Sequence, residues 1–198
     1  MRTINTAAAI LTGGLARRFQ GRDKSRLIVP GSAQRRSILD HQLELLAPLA
    51  SDLLIVTSAA RAPGFMHAAA RVVLDAHPGC GPLGAIVTAL GATSAEAVIV
   101  VAGDMPHVSA ALLAELARRH AAGGADVMAP ESARGIEPLC AIYGRPALAA
   151  LEAALRSGDL SMHHALRTLR LGVMAAADVA RVGDPQLLFR NINAPEDL

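Results

Sequence analysis

Two glycines and a cluster of cations follow the first apolar run of the chain. The run Ala7–Leu11 is short and apolar, which is typical of a buried strand, and Gly13 and Gly14 come just after it. Glycine lets the backbone turn with positive φ and lets a bulky anion approach main-chain N–H groups. Three arginines and a lysine then fall within eight residues, at Arg17, Arg18, Arg22 and Lys24. This pattern predicts a nucleotide-phosphate site, with a tight turn and a solvated basic loop as the alternative.

Two familiar phosphate-binding loops do not fit this stretch. A Walker A loop needs a glycine immediately before its lysine, where this chain has Asp23. A dinucleotide fingerprint needs a third glycine soon after the first pair, where this chain has Arg17 and Arg18. Both kinds of loop are therefore excluded.

Two carboxylates stand directly after apolar runs. Asp104 follows the most hydrophobic run, Ala97–Ala102, and Asp75 ends the run that begins at Arg71. Magnesium is usually held by one or two carboxylates together with phosphates and water, so Asp104 is the candidate metal ligand. The metal and Lys24 would share the charge that develops on the α-phosphate and the leaving pyrophosphate in a nucleotidyl transfer. The alternatives are a turn-forming role for Asp104 and an N-cap or turn role for Asp75.

Alternating strand and helix patterns must position these groups. Helical spacing with a serine N-cap begins at Ser37 and again at Ser109, and Pro146 opens a helix that Gly158 ends. Residues 78–84 predict a stiff turn before a helix of small residues that ends near Ala92. The remaining patterns are strands at 53–57, 71–75, 97–102, 126–129, 139–143 and near 173, and a helix at 162–169.

This alternation predicts an α/β fold: a three-layer, Rossmann-like and mostly parallel sheet with helices on both faces. Ligands of such sheets lie beyond the carboxyl ends of the strands. Gly13, Gly14, Asp75 and Asp104 fall at those ends, so we expect one crevice to receive a phosphate cradle and two carboxylates.

The bulk composition narrows the classes of partner. A chain of 198 residues suits a single domain, 1–198. Its net charge of +2 and its 2% of aromatic residues argue against nucleic acid and against an acidic membrane surface. The two cysteines, Cys80 and Cys140, form no C-x-x-C pair, and no apolar stretch is long enough to span a bilayer. We therefore expect a cytoplasmic protein with free thiols.

Four motifs, in order from about Ala8 to the C-terminus, resemble those of molybdenum cofactor guanylyltransferases. The family patterns are L-A-G-G…R-[MF]-G-G-x-D-K, D-x(n)-G-P-L-x-G, C-D-x-P and F-x-N-[IV]-N-T-P-E. The similar stretches of this chain are Leu11-Thr12-Gly13-Gly14 with Arg17-Arg18-Phe19 and Asp23-Lys24, then Asp75 with Gly81-Pro82-Leu83-Gly84, then Gly103-Asp104-Met105-Pro106, and last Phe189-Arg190-Asn191-Ile192-Asn193-Ala194-Pro195-Glu196.

The resemblance implies a nucleotidyltransferase with a nucleotide-diphospho-sugar transferase-like fold. It would use GTP and Mg²⁺ to join GMP to the terminal phosphate of molybdopterin, with release of pyrophosphate. It also implies transient contact with molybdoenzymes or cofactor-delivery proteins. The resemblance also implies roles for single residues. Leu11, Thr12 and Gly13 would contact the guanine nucleotide through the backbone, Lys24 would contact its phosphates, Asp75 would contact the nucleotide, and Asp104 would contact both the nucleotide and magnesium. Gly14, Arg18, Gly81 and Gly84 would shape the site, and Asn191 and Asn193 would face the pterin.

Several positions depart from the family pattern. Thr12 replaces an alanine, Gln20 replaces the first glycine of a pair, and Ser58 stands where some members have an asparagine that would contact the base or sugar. Leu160 and Ser161 stand where the family often has an arginine, a departure that concerns pterin recognition more than nucleotide binding.

Three functional hypotheses remain at this point. The first hypothesis is the guanylyltransferase, and the resemblance favours GTP as its nucleotide because cytidylyl relatives more often have Ala-Gly in place of Gly13-Gly14. The second hypothesis is a relative that uses CTP or activates a different phosphorylated acceptor. The third is a non-catalytic nucleotide-binding protein that acts in cofactor delivery, and the retention of both Lys24 and Asp104 argues against it.

Overall fold

Eight strands form one mixed sheet in the computed structural model, which describes residues 4–12, 27–29, 36–65 and 67–192. The strands are β1 (Thr6–Leu11), β2 (Asp52–Thr57), β3 (Arg71–Leu74), β4 (Ala97–Ala102), β5 (Val127–Ser132), β6 (Gly135–Ile136), β7 (Cys140–Gly144) and β8 (Leu171–Met174). Their order across the sheet is β3-β2-β1-β4-β7-β5-β6, and β8 pairs with β5.

The sheet is mostly parallel, as the sequence predicts. The strand β1 pairs in parallel with β2 and β4, β3 pairs in parallel with β2, and β8 does so with β5. The strand β7 runs antiparallel to both β4 and β5, and β6 runs antiparallel to β5. Residues 133–139, which connect β5 to β7, are too few for the crossover that a parallel pair needs. The short strand β6 was not predicted.

Seven α-helices and one short 3-10 helix accompany these strands in the described residues. They are α1 (Ile38–Leu46), the 3-10 helix (Ala62–Gly64), α2 (Gly81–Gly91), α3 (Ala110–Ala121), α4 (Ala147–Ser157), α5 (Met162–Arg167), α6 (Ala176–Val179) and α7 (Pro185–Leu188). None of the helices that the structure describes combines the length and the apolar character needed to cross a lipid bilayer.

Strand side chains alternate between two hydrophobic cores, one on each face of the sheet. In β1, Ile10 belongs to the core that is shared with α1, α3, α6 and α7. Its neighbours Ala9 and Leu11 belong to the core that is shared with α2, α4 and α5. Every residue of β1 and β4 is buried, as expected for strands covered on both faces. The three-layer architecture is therefore confirmed.

Local signals set several helix ends. The hydroxyl of Ser37 accepts a hydrogen bond from the Asp40 N–H, and that of Ser109 accepts one from the Leu112 N–H, which confirms both predicted N-caps. Gly158 ends α4 with a φ of 77°, in the left-handed region that favours glycine.

The start of α2 differs from the prediction. The sequence predicts a turn over residues 78–84, but α2 begins at Gly81, so Gly81 and Gly84 both belong to its first turn. Proline is tolerated there because the first N–H groups of a helix have no partner inside the helix, and Pro82 therefore does not delay the start. Gly84 also packs closely, since a Cβ at this position would lie 2.8 Å from the carbonyl oxygen of His77.

Replacing Gly84 by alanine should destabilise the protein because the new methyl group would collide with His77 and with the Cβ of Cys80. We expect Gly84→Ala to lower the free energy of unfolding by about 1–3 kcal/mol, the usual cost of overpacking. Gly91→Ala is the matched control in the same helix, where an added Cβ meets nothing within 4 Å. We expect the control to be neutral or stabilising by up to about 1 kcal/mol. Urea unfolding followed by circular dichroism measures both values, and equal stabilities would contradict the close packing.

Candidate active site

The carboxyl ends of β1, β2, β3 and β4 lie side by side at one edge of the sheet. Three backbone hydrogen bonds extend the pairing past the strand ends: Gly103 N–H to Leu11 O at 2.9 Å, Thr12 N–H to Val56 O at 3.0 Å and Asp75 N–H to Thr57 O at 2.8 Å. The structure therefore brings to this edge five of the residues singled out in the sequence: Leu11, Thr12, Ser58, Asp75 and Asp104.

Thr12 is fixed where β1 leaves the sheet. It is 5% exposed, and its hydroxyl donates to the Val56 carbonyl at 3.1 Å, as its backbone N–H also does. Nη1 of Arg61 donates to the Thr12 carbonyl at 2.8 Å. The turn that carries Arg61 is closed by its own N–H, which donates to Ser58 O at 3.0 Å. Arg61 thus orients the end of β1 and brings a positive charge to this edge of the sheet.

Asp75 closes the turn between β3 and α2. Its Oδ1 accepts from the His77 N–H at 2.9 Å and lies 3.1 Å from the Thr88 hydroxyl. That hydroxyl also lies 2.9 Å from Gly84 O, so its single hydrogen serves one oxygen or is shared by both. Asp75 therefore has the turn role that the sequence left open. A ligand role is compatible with it, because these hydrogen bonds use only one of the two carboxylate oxygens.

Asp104 lies in a turn that is held from two sides. On α1, the fully buried Gln42 donates from Nε2 to the carbonyls of Ala102 at 2.8 Å and Met105 at 3.0 Å. The carbonyl of Asp104 accepts from the Ile192 N–H at 2.9 Å. Asp104 itself is half-buried. Its carboxylate is therefore carried by a constrained backbone at the end of β4.

The segment after α7 lies against the Asp104 turn. Ile192 is 1% exposed and packs with Ile38, and Nη2 of Arg134 donates to Phe189 O at 2.8 Å. Asn191 is half-buried, and its Oδ1 is buried without a hydrogen-bond partner among the described residues. Unpaired buried acceptors are rare in native proteins, so this oxygen is a candidate to receive a donor from a ligand.

Two imidazoles and a guanidinium lie near the same turn. Burial lowers the pKa of His107, and the charges of Arg190 and His41 lower it further. Burial is also the main cause that lowers the pKa of His41, although Glu44 acts in the opposite direction. The pKa values of both imidazoles are therefore lowered, and Arg190 and Arg36 are the arginines whose charges contribute to this.

The other residues singled out in the sequence fall into two groups. Gly81 and Gly84 lie in the first turn of α2, and Gly84 is linked to the strand ends through Thr88 and Asp75. The residues Gly13, Gly14, Arg18, Lys24 and Asn193 lie outside the described residues, so their assignment stays a prediction.

Three residues of this region were missed in the sequence: Gln42, Arg61 and Arg134. Each donates to a backbone carbonyl far away along the chain, and such contacts leave no local pattern. A partial signal existed for Gln42, because an amide on the apolar stripe of α1 needs a hydrogen-bond partner when it is buried.

Comparison with known proteins gives the class to which this fold and site belong. Residues 8–173 match the family model of the MobA-like NTP transferase domain. A probable molybdenum cofactor guanylyltransferase of Chloroflexus aggregans is 35% identical over 191 residues, which cover 96% of this chain and 89% of that protein. One of Opitutus terrae is 33% identical over 198 residues, which cover 96% and 92%.

A solved structure agrees with this result. The crystal structure of molybdopterin-guanine dinucleotide biosynthesis protein A from Archaeoglobus fulgidus superposes with a TM-score of 0.79 at 26% identity, covering 96% of this chain and 94% of that one. The α/β sheet, its carboxyl edge and these matches define a nucleotidyltransferase. The chain belongs to the MobA-like NTP transferase family.

Substitutions at Asp75 should separate its turn role from its charge. Asp75→Ala loses the acceptor for His77 and Thr88, and we expect it to lower the free energy of unfolding by about 1–3 kcal/mol. Asp75→Asn keeps an oxygen at Oδ1, and we expect its stability to stay within about 0.5 kcal/mol of the parent. Urea midpoints of both variants test this, and equal losses would contradict a turn role based on the Oδ1 hydrogen bonds.

Proposed function

We propose that this chain transfers GMP from GTP to the terminal phosphate of molybdopterin and releases pyrophosphate. An acceptor phosphate oxygen forms a bond to the α-phosphorus of GTP, and the bond from that phosphorus to the pyrophosphate oxygen breaks. The observation that carries the proposal is the 2.9 Å hydrogen bond from the Ile192 N–H to the Asp104 carbonyl. It joins the segment assigned to the pterin side to the turn assigned to the nucleotide side. The names of the relatives support the same reaction.

We place the nucleotide along the carboxyl edge of the sheet. Leu11, Thr12 and Gly13 offer backbone groups, and Ser58 offers a hydroxyl in place of an asparagine of the family. Arg61 adds a permanent positive charge that is already anchored to Thr12 O. Lys24 and Arg18 are the further cations that we assign to the phosphates. Positioning and charge account for most of the catalysis in phosphoryl-type transfers, so no covalent intermediate on the protein is needed.

We assign Asp104 as the magnesium ligand. The described residues contain no group of three or more His, Cys, Asp and Glu side chains that could hold a metal ion. A cation at Asp104 would thus take its other ligands from phosphates and water, which is how Mg²⁺ is commonly bound beside nucleotides. The half-buried carboxylate on a constrained turn fits that ligand set. When bound, Mg²⁺ neutralises charge on the phosphates.

We assign the acceptor to the side of the site formed by the C-terminal segment. The unpaired Oδ1 of Asn191 suits a donor group of the pterin, and Asn193 is the second predicted contact. We assign Arg190, whose charge acts on His107, to the acceptor phosphate. GTP and molybdopterin would then approach Asp104 from opposite sides.

We further infer that residues 1–198 form a single nucleotidyltransferase domain that acts in the cytoplasm. The thiols of Cys80 and Cys140 are free, which suits a reducing compartment. Transient contact with molybdoenzymes or cofactor-delivery proteins would pass the product on.

Thermal shift with the four nucleotides should rank GTP first. A ligand at a hundredfold excess over its Kd stabilises the native state by about 2.7 kcal/mol, which raises the melting midpoint of a chain of this size by about 5–10 °C. We expect this shift with GTP and Mg²⁺, and smaller shifts with CTP, ATP and UTP. A larger shift with CTP would favour the cytidylyltransferase alternative. Binding of GTP without pyrophosphate release in the presence of molybdopterin would favour the non-catalytic one.

Asp104→Asn should abolish most activity while the fold survives. The variant keeps the side-chain shape and the backbone carbonyl that Ile192 contacts, but it removes the charge that would hold Mg²⁺. We expect pyrophosphate release to fall at least about a hundredfold, the scale on which loss of one preorganised electrostatic group acts. Asp52→Asn is the matched control, because Asp52 is the first residue of β2 and lies at the opposite edge of the sheet. Normal magnesium dependence in Asp104→Asn would remove Asp104 as the ligand, and an equal collapse of the melting midpoint would assign it to the turn.

A further inference from the structure

Gln42 is a fully buried amide on an otherwise apolar helix face. The buried residues of α1 are Ile38, Leu39, Gln42, Leu43 and Leu46. Gln42 is 0% exposed, so its amide has given up all its contact with water. An amide in such a position costs free energy unless it is hydrogen-bonded, and an apolar side chain would avoid the cost. The presence of a buried amide at position 42 therefore needs a specific explanation.

Both hydrogen bonds of this amide reach the backbone on either side of Asp104. Nε2 donates to Ala102 O at 2.8 Å and to Met105 O at 3.0 Å. The Met105 N–H also donates to Ala102 O at 3.2 Å, which closes the same turn. The two carbonyls fix the orientation of the amide, because turning it over would place Oε1 against two other acceptors. In this orientation Oε1 is buried without a hydrogen-bond partner among the described residues.

The two ends of the Gln42 amide differ in how well their hydrogen bonds are satisfied. One end of the side chain satisfies two carbonyls, while the other end leaves an acceptor unpaired in the described part of the chain. A residue kept only to fill space would not carry that acceptor. The helix beneath it is anchored by the buried side chains of Leu39, Leu43 and Leu46. Gln42 thus ties the turn of residues 102–105 to a rigid element.

We propose that Gln42 is the positioning residue of Asp104: it holds the turn of residues 102–105 so that the carboxylate of Asp104 meets a divalent cation on a nucleoside triphosphate. This inference rests on the proposed function for its kinetic consequences. A primary amide suits the task, since a single nitrogen supplies two donors. Leucine supplies none, and a glutamic acid of the same shape supplies one at most, when it is protonated.

Gln42→Leu and Gln42→Glu test the proposal through the magnesium dependence of pyrophosphate release. We expect both variants to need at least about fivefold more Mg²⁺ for half-maximal rate and to lose about tenfold in kcat, with a smaller change in the KM for GTP, because removing a hydrogen bond that positions a group acts on this scale. The isosteric Gln42→Glu can donate one hydrogen bond at most, so we expect it to be impaired as well. Leu46→Val is the matched control, as it loosens the same helix face without removing a polar group.

A purely structural role makes the opposite forecast. It predicts normal magnesium dependence in every folded variant and a loss that follows the melting midpoint, so either result would overturn the proposal. If Gln42→Leu does not fold, Gln42→Met replaces it, because methionine is unbranched, apolar and adaptable in shape.

Amide hydrogen exchange separates failure of this inference from failure of the proposed function. It needs neither GTP nor molybdopterin. Gln42→Leu should speed exchange at Gly103 and Met105 by about tenfold or more relative to Leu46→Val, because local opening then breaks fewer hydrogen bonds. If exchange is faster in Gln42→Leu but the protein does not use GTP, the proposed function is wrong, whereas the role of Gln42 in holding the turn stands. Unchanged exchange would overturn the inference even if the guanylyl transfer were demonstrated.

Discussion

Parallel pairing of β1 with β2 on one side and β4 on the other is the constraint on which the rest of this structure depends. Every residue of β1 is buried, and the register places Leu11 beside both Val56 and Ala102. Because the three strands run in the same direction, all of them end at one edge of the sheet. Polar residues that follow these strands therefore lie together at this edge of the sheet, even when they are far apart along the chain.

The site at that edge is stiffened by side chains that donate to backbone carbonyls. Gln42 holds the turn after β4, Arg61 holds the carbonyl of Thr12 just after β1, and Arg134 holds the segment that leads to Asn191. A similar contact lies at the opposite edge of the sheet, where the side chain of Arg145 donates to the carbonyls of Leu90 and Ala95, which precede β4. These contacts satisfy backbone acceptors outside the strand pairing, and they tie the loops beyond the strands to the rest of the fold.

The arrangement also couples the two halves of the proposed reaction. The proposed nucleotide side lies at the ends of β1 to β4, and the proposed acceptor side lies on the segment that follows α7. The backbone hydrogen bond from the Ile192 N–H to the Asp104 carbonyl joins them, and Ile192 also packs against Ile38. A displacement of the C-terminal segment would therefore act directly on the turn that carries Asp104.

The sequence by itself determined those features that depend on neighbouring residues. The apolar runs predicted the strands, Ser37 and Ser109 predicted two helix starts, and Asp75 and Asp104 were placed at strand ends, since strand, cap and turn signals all act within a few residues. Only the tertiary structure decided that Thr88 contacts Asp75, that β7 runs antiparallel, and that Gln42 reaches the Asp104 turn. The partners of Gln42, Arg61 and Arg134 lie 60, 49 and 55 positions away along the chain. Contacts at such distances are created by the tertiary fold, which brings a helix and two turns against distant segments, and no local pattern of residue types encodes them.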